Sequence, residues 1–132
     1  MGLDMYAFSV KPEAVIDDFS FNREATEDAV TEIAYWRKHR HLHNYMEKLY
    51  RDKGGKAVSF NCTPIRLSKD DLTELEDLIL DNQLDTYDAP GFFFGVSPCY
   101  ENEDDKARDV DFIREAWRAI QDGKAVYYDS WW

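Results

Sequence analysis

Cysteine is scarce in this chain: Cys62 and Cys99 are the only two among 132 residues. Two thiols outside any metal-ligand spacing exclude a sequence-encoded zinc cluster. With no secretory signal at the start, they read as free thiols in a reducing cytoplasm. Long apolar runs are also missing: none approaches the ~20 residues that span a bilayer. Gly2 follows Met1, but Tyr6 stands where a myristoylation signal wants Ser or Thr. Repeats, low-complexity stretches and linkers are absent, so residues 1–132 read as one domain. Cations are the minority charge, 16 Lys and Arg against 27 Asp and Glu, a net charge of −11. That balance argues against nonspecific nucleic-acid binding, which phosphate repulsion opposes.

Aromatic rings are plentiful. They make up 15% of residues within a hydrophobic fraction of 44%. Rings bring large buried area with few rotatable bonds, so a chain of this size can hold one core without staples. Charge is unevenly spread. Residues 37–69 carry nine cations and two anions, whereas residues 70–105 carry twelve anions and no cation. Two explanations stand: the segments pack together and neutralise one another, or the cationic middle forms a local basin that captures an anion.

Residues 3–10, LDMYAFSV, are short, apolar and ring-rich, and read as a strand. From about Thr26 to Arg51 apolar residues recur at three and four (Val30, Ile33, Ala34, Leu42, Tyr45, Met46, Leu49), which predicts a helix ending at Gly54-Gly55. Residues 56–67 alternate through Val58, Phe60 and Cys62 and read as a strand, with Pro64 marking an edge or bulge. Ser68 followed by Asp70 and Asp71 reads as a capped helix start, and Leu72, Leu75, Leu78 and Ile79 form its apolar face. Residues 91–97, GFFFGVS, read as a strand. A helix opening out of the acidic stretch 101–109 carries the stripe Val110, Ile113, Trp117 and Ile120, with Gly123 as its C-terminal cap. Residues 124–132 form the last strand. The fold class expected is α/β (α+β): a single small domain with a sheet of about four strands and three helices packed on it.

Residues 35–45, YWRKHRHLHNY, together with GFFFG and the C-terminal YYDSWW, resemble a family of small uncharacterised proteins encoded by bacteriophages, including phages of cyanobacteria. Its members typically open Met-Gly-Leu-Asp-Met-Tyr, as Met1 to Tyr6 do. They carry Trp-Arg-Lys and a later Leu-His, matched by Trp36, Arg37, Lys38, Leu42 and His43. Gly91 to Gly95 match their aromatic strand, and Ser130 and Trp131 match their closing Ser-Trp. The resemblance runs end to end. It implies a viral origin and action inside an infected bacterium, in the host cytoplasm. It implies no activity, cofactor or catalytic residue. His39 and His41 are additions to the family pattern.

On the expected helix, Trp36, Arg40, His43 and Glu47 share one side. Trp36 can stack on a ring, Arg37 and Lys38 can meet phosphate or carboxylate, and His43 can supply a hydrogen bond. Equally, Arg37 can be a buried partner of Asp4. His39 and His43 have the four-residue spacing of two metal ligands, but there is no His-Glu-x-x-His and no fourth histidine, so no metal is assigned. GFFFG lacks the spacing of a phosphate loop. Its Phe92 and Phe94 share one strand face and serve as core or as pocket walls. Ser130 lies in no Gly-x-Ser-x-Gly turn, and Trp131 and Trp132 either dock or form a patch. The residues expected to bind ligand are therefore Trp36, Arg37, Lys38, His39, His43, Phe92, Phe94, Ser130 and Trp131, with no catalytic residue and no cofactor. The expected function is a phage accessory protein that binds an anionic, nucleotide-like small molecule. The alternatives are an acidic inhibitor that imitates nucleic acid toward a host protein, and a small enzyme acting on a phosphorylated compound.

Overall fold

A computed structural model of the chain describes residues 3–24, 28–81, 84 and 103–132. Four antiparallel strands make the main sheet, in the order β4 (Val30–Arg37), β1 (Asp4–Val10), β6 (Ala125–Trp131), β5 (Ile65–Leu67). A second, two-stranded sheet pairs β2 (Val15–Asp17) with β3 (Ser20–Phe21). Among the described residues three α-helices complete the α+β domain: α1 (Arg40–Asp52), α2 (Lys69–Leu80) and α3 (Glu103–Gln121). No helix among the described residues is long and apolar enough to cross a membrane.

Strand alternation assigns the two faces. Met5 and Ala7 of β1, Trp36 of β4 and Val126 and Tyr128 of β6 join one core with Leu42, Tyr45 and Met46 of α1, Leu72, Leu75 and Ile79 of α2, and Phe112, Ile113 and Ala116 of α3. Tyr45, Tyr128 and Phe112 are among the largest fully enclosed side chains there. Each contributes roughly 1.5–3 kcal/mol by leaving water. On the other face, the β2–β3 hairpin covers only one end, where Val10, Phe21, Ala125 and Tyr127 form a smaller cluster. The far end of that face, around Tyr6, Tyr35 and Trp131, lies outside both clusters.

The expected strands 3–10 and 124–132 and the helix after Ser68 stand where the periodicity puts them. Ser68 Oγ accepts the Asp71 N–H (3.2 Å) and the Asp71 carboxylate accepts the Ser68 N–H (2.9 Å), a reciprocal cap. The helix expected over 26–51 does not form as one element. Its first part is β4, paired with β1 from Asp4↔Arg37 to Val10↔Val30. Lys38 then takes a left-handed conformation (φ 62°), its N–H donating to Leu3 O at 2.8 Å, and only after this turn does α1 begin. The strand expected over 56–67 shrinks to β5, because the chain turns at Cys62 (φ 56°) and reaches the sheet edge only after Pro64. Arg37 is not the buried partner of Asp4: it is exposed, and Asp4 Oδ1 accepts the Tyr35 hydroxyl at 2.7 Å. The strand expected at GFFFG, with Phe92 and Phe94, lies outside the described residues.

Candidate functional site

The YWRKHRHLH stretch is a strand–turn–helix junction, and this separates its side chains. Trp36 is buried on the helix side of the sheet, edge-on to Phe112 with ring centres 4.9 Å apart. Its indole N–H donates to Asp109 Oδ1 at 2.7 Å, and His39 Nε2 meets the other oxygen of the same carboxylate at 2.7 Å. Asp109 is only 1% exposed, so the Trp36 indole and His39 are committed to an internal acid on α3. Arg37 and Lys38 point outward at the end of β4 and in the turn.

His43 descends from α1 into the core. In the neutral ring with its proton on Nε2, the Tyr128 hydroxyl donates to Nδ1 at 2.7 Å, and Phe60 packs on the imidazole at 5.1 Å. Burial pulls the His43 pKa from 6.5 down to about 4. Burial likewise pushes the Tyr128 hydroxyl well above its ordinary value. Ser130, on the same face of β6, has a buried Oγ with no hydrogen bond of normal geometry among the described residues, although it lies near enough to Tyr128 to favour phenolate slightly. This is a buried polar spine on the helix side of the sheet.

Two concavities are built from other residues. The first is an open cavity of about 440 Å³ on the uncovered end of the sheet. Tyr6 and Phe8 of β1, Glu32 of β4, and Asp129 and Trp131 of β6 line it, with Arg23 at one side. Ser130 and Cys62 complete the wall, and the Cys62 N–H donates to Ser130 O at 2.8 Å. Of the residues expected from sequence, this cavity gathers Ser130 and Trp131. The second is a cleft of about 430 Å³ at the opposite end of β6. Lys53 from the end of α1, Arg66 of β5, Lys69 of α2 and Lys124 before β6 face it, with Asp18 the one carboxylate among its lining residues. Lys53 Nζ is also held by Asp71 Oδ2 (2.5 Å) and Arg66 O (2.8 Å), which fixes one wall.

The cleft was partly signalled in the sequence, since Lys53, Arg66 and Lys69 belong to the cation-rich segment 37–69. The open cavity was not signalled: Tyr6, Glu32 and Asp129 are brought together by strand register, and Arg23 joins them from the turn after β3. No protein-family model, no curated protein and no solved structure matches this chain.

Proposed function

We propose that the protein is a non-catalytic binder of a phosphate-bearing, nucleotide-like small molecule, and that it acts as a phage accessory protein in the host cytoplasm. The observation that carries the reading is the cleft in which Lys53, Arg66, Lys69 and Lys124, from four different parts of the chain, surround one open volume in a protein of net charge −11. Like charges are gathered at a cost unless an anion answers them, and oxyanions are the natural answer to guanidinium and ammonium groups. Leu67, Ile120 and Ala125 give the cleft an apolar floor. Binding is favoured over turnover because the hydroxyl lining the cleft, Ser68, is spent on the α2 cap.

Calorimetry against inorganic phosphate, pyrophosphate, ATP and cyclic nucleotides tests this. Wild type should bind at least one of them. Arg66→Ala and Lys124→Ala should each raise Kd about tenfold, the equivalent of ~1.4 kcal/mol, since each removes a charge-assisted contact. Both side chains lie outside the core, so melting should be unchanged. No heat from any of these anions sinks the reading.

A second reading, the acidic inhibitor, is favoured by a row of carboxylates on α2. Asp70, Glu74, Asp77 and Asp81 line one shallow groove. At 1.5 Å rise per residue they give one charge per ~5.5 Å. A B-DNA strand offers one phosphate per ~3.4 Å. Along the axis the row carries fewer charges than one strand, and it comes from a single helix, whereas the cleft gathers cations from several elements and is the stronger observation.

A further inference from the structure

The open cavity at the far end of β6 has the opposite chemistry to the cleft and shares no lining residue with it. Its walls are ring faces and carboxylates. Trp131 is 67% exposed there, and Tyr6 stands between Phe8 (6.1 Å, nearly parallel) and Tyr35 (5.3 Å) on the same face. Glu32 and Asp129 flank the rings. The chain itself shows what this surface accepts. The Arg23 guanidinium lies over the Phe8 ring at 5.6 Å and the Phe21 ring at 4.7 Å, and it pairs with Asp129. One cation is thus already seated on rings and a carboxylate at one side. Tyr6, Trp131 and Glu32 line the same cavity beside it, with Trp131 and Glu32 exposed to solvent.

We propose that this half of the cavity is a binding site for a small organic cation of the alkylammonium or guanidinium class, held over the Tyr6 and Trp131 rings and charge-matched by Glu32. A cation over a ring face is attracted by the ring quadrupole, and a nearby carboxylate adds to it. The field at Tyr6 has the required sign: besides burial, the carboxylates of Asp4, Glu32 and Asp129 all act to hold its hydroxyl protonated. The volume of about 440 Å³ suits a small molecule rather than a folded partner. An anion is disfavoured by the same groups, so this site is independent of the proposed phosphate cleft.

Choline and its neutral carbon isostere 3,3-dimethyl-1-butanol form the critical pair of probes, with methylguanidine as the planar alternative. Binding is read by calorimetry and by the shift of the Trp131 indole proton resonance. Choline or methylguanidine should saturate the site, and whichever binds more tightly identifies the source within the class. The neutral isostere should bind at least tenfold more weakly than choline if choline is the tighter cation. Glu32→Gln and Trp131→Ala should each weaken cation binding several-fold with unchanged melting, because both side chains are exposed. Arg66→Ala should leave it unaffected. Saturation by neither cation, equal binding of choline and its isostere where choline is the tighter cation, or cation binding untouched by both Glu32→Gln and Trp131→Ala would overturn the proposal.

Discussion

His43 is the residue whose chemistry departs furthest from its ordinary behaviour. The residue is 8% exposed, its Nδ1 is occupied by Tyr128, and burial holds its pKa at about 4 against 6.5 in the open chain. Because the unfolded chain binds the proton more readily, acid draws the equilibrium toward unfolding. The stability from the neutral ring is present above pH ~6.5 and is lost progressively as pH falls toward about 4. A shift of this size corresponds to about 3 kcal/mol over that window. Asp129 works in the opposite sense: burial raises its folded pKa, so its contribution is complete at low pH and declines as pH rises through that value. Comparing wild type with His43→Gln separates the two. Denaturant melts at pH 7 and pH 4.5 should show wild type losing more stability on acidification than His43→Gln does. Equal losses would mean that His43 is not buried in its neutral form. Trp36 and His39 likewise serve an interior partner, Asp109. The aromatic and cationic density of residues 35–45 thus has a largely structural explanation, with Tyr35, Arg37 and Lys38 exposed.

At the scale of elements, α2 is the clearest case of a local signal matching the structure. Ser68→Ala removes one arm of the reciprocal cap and should cost about 1 kcal/mol. Asp71→Ala should cost more, because the same carboxylate also holds Lys53. Thermal melts of the two variants check the order, and an Asp71→Ala protein as stable as Ser68→Ala would show that the Lys53 contact adds nothing. This helix, the α3 stripe of Val110, Ile113, Trp117 and Ile120, and strands β1 and β6 were legible because their caps and periods lie within a few residues of each other. β4 was not, for a physical reason. The pairing with β1 shifts between Ala7 and Phe8, so that Ala34 and Glu32 oppose consecutive residues and Ile33 is the extra one. A bulge of this kind breaks the two-residue alternation. It leaves Val30, Ile33 and Ala34 at three and four, the spacing of a helix. With α1 following after one turn, the two elements present one continuous helical pattern. The left-handed Lys38 that divides them carries no signal, since it is neither Gly nor Asn. The open cavity was illegible for a different reason: its residues span Tyr6 to Trp131 and meet only through long-range register.

Across the whole molecule, internal pairing accounts for part of the charge segregation. Lys53 crosses from the cationic segment to Asp71 of the acidic one, while Lys48 and Arg51 answer Asp52 and Glu47 within their own helix. Arg66 and Lys69 instead line the cleft with Lys124. The remaining excess of negative charge has a consequence that depends on salt. A net charge of −11 on 132 residues repels itself most strongly in the compact state. Added ions screen that repulsion, the screening length falling from ~10 Å at 0.1 M to ~3 Å at 1 M. The described cross-element pairs are few and lie partly buried, as Lys53–Asp71 does, so screening costs them less than it relieves elsewhere. Raising NaCl from roughly 0.05 to 0.5 M should therefore raise Tm, at about 4 °C for each kcal/mol of repulsion relieved. The same salt should weaken phosphate binding in the cleft, where attraction rather than repulsion is screened. Stability and affinity should thus move in opposite directions along one titration, and differential scanning calorimetry beside binding calorimetry reads both. A Tm that falls with salt would mean that attractive pairs outweigh the net charge. An affinity that does not fall would place the phosphate outside the Lys53–Lys124 cleft.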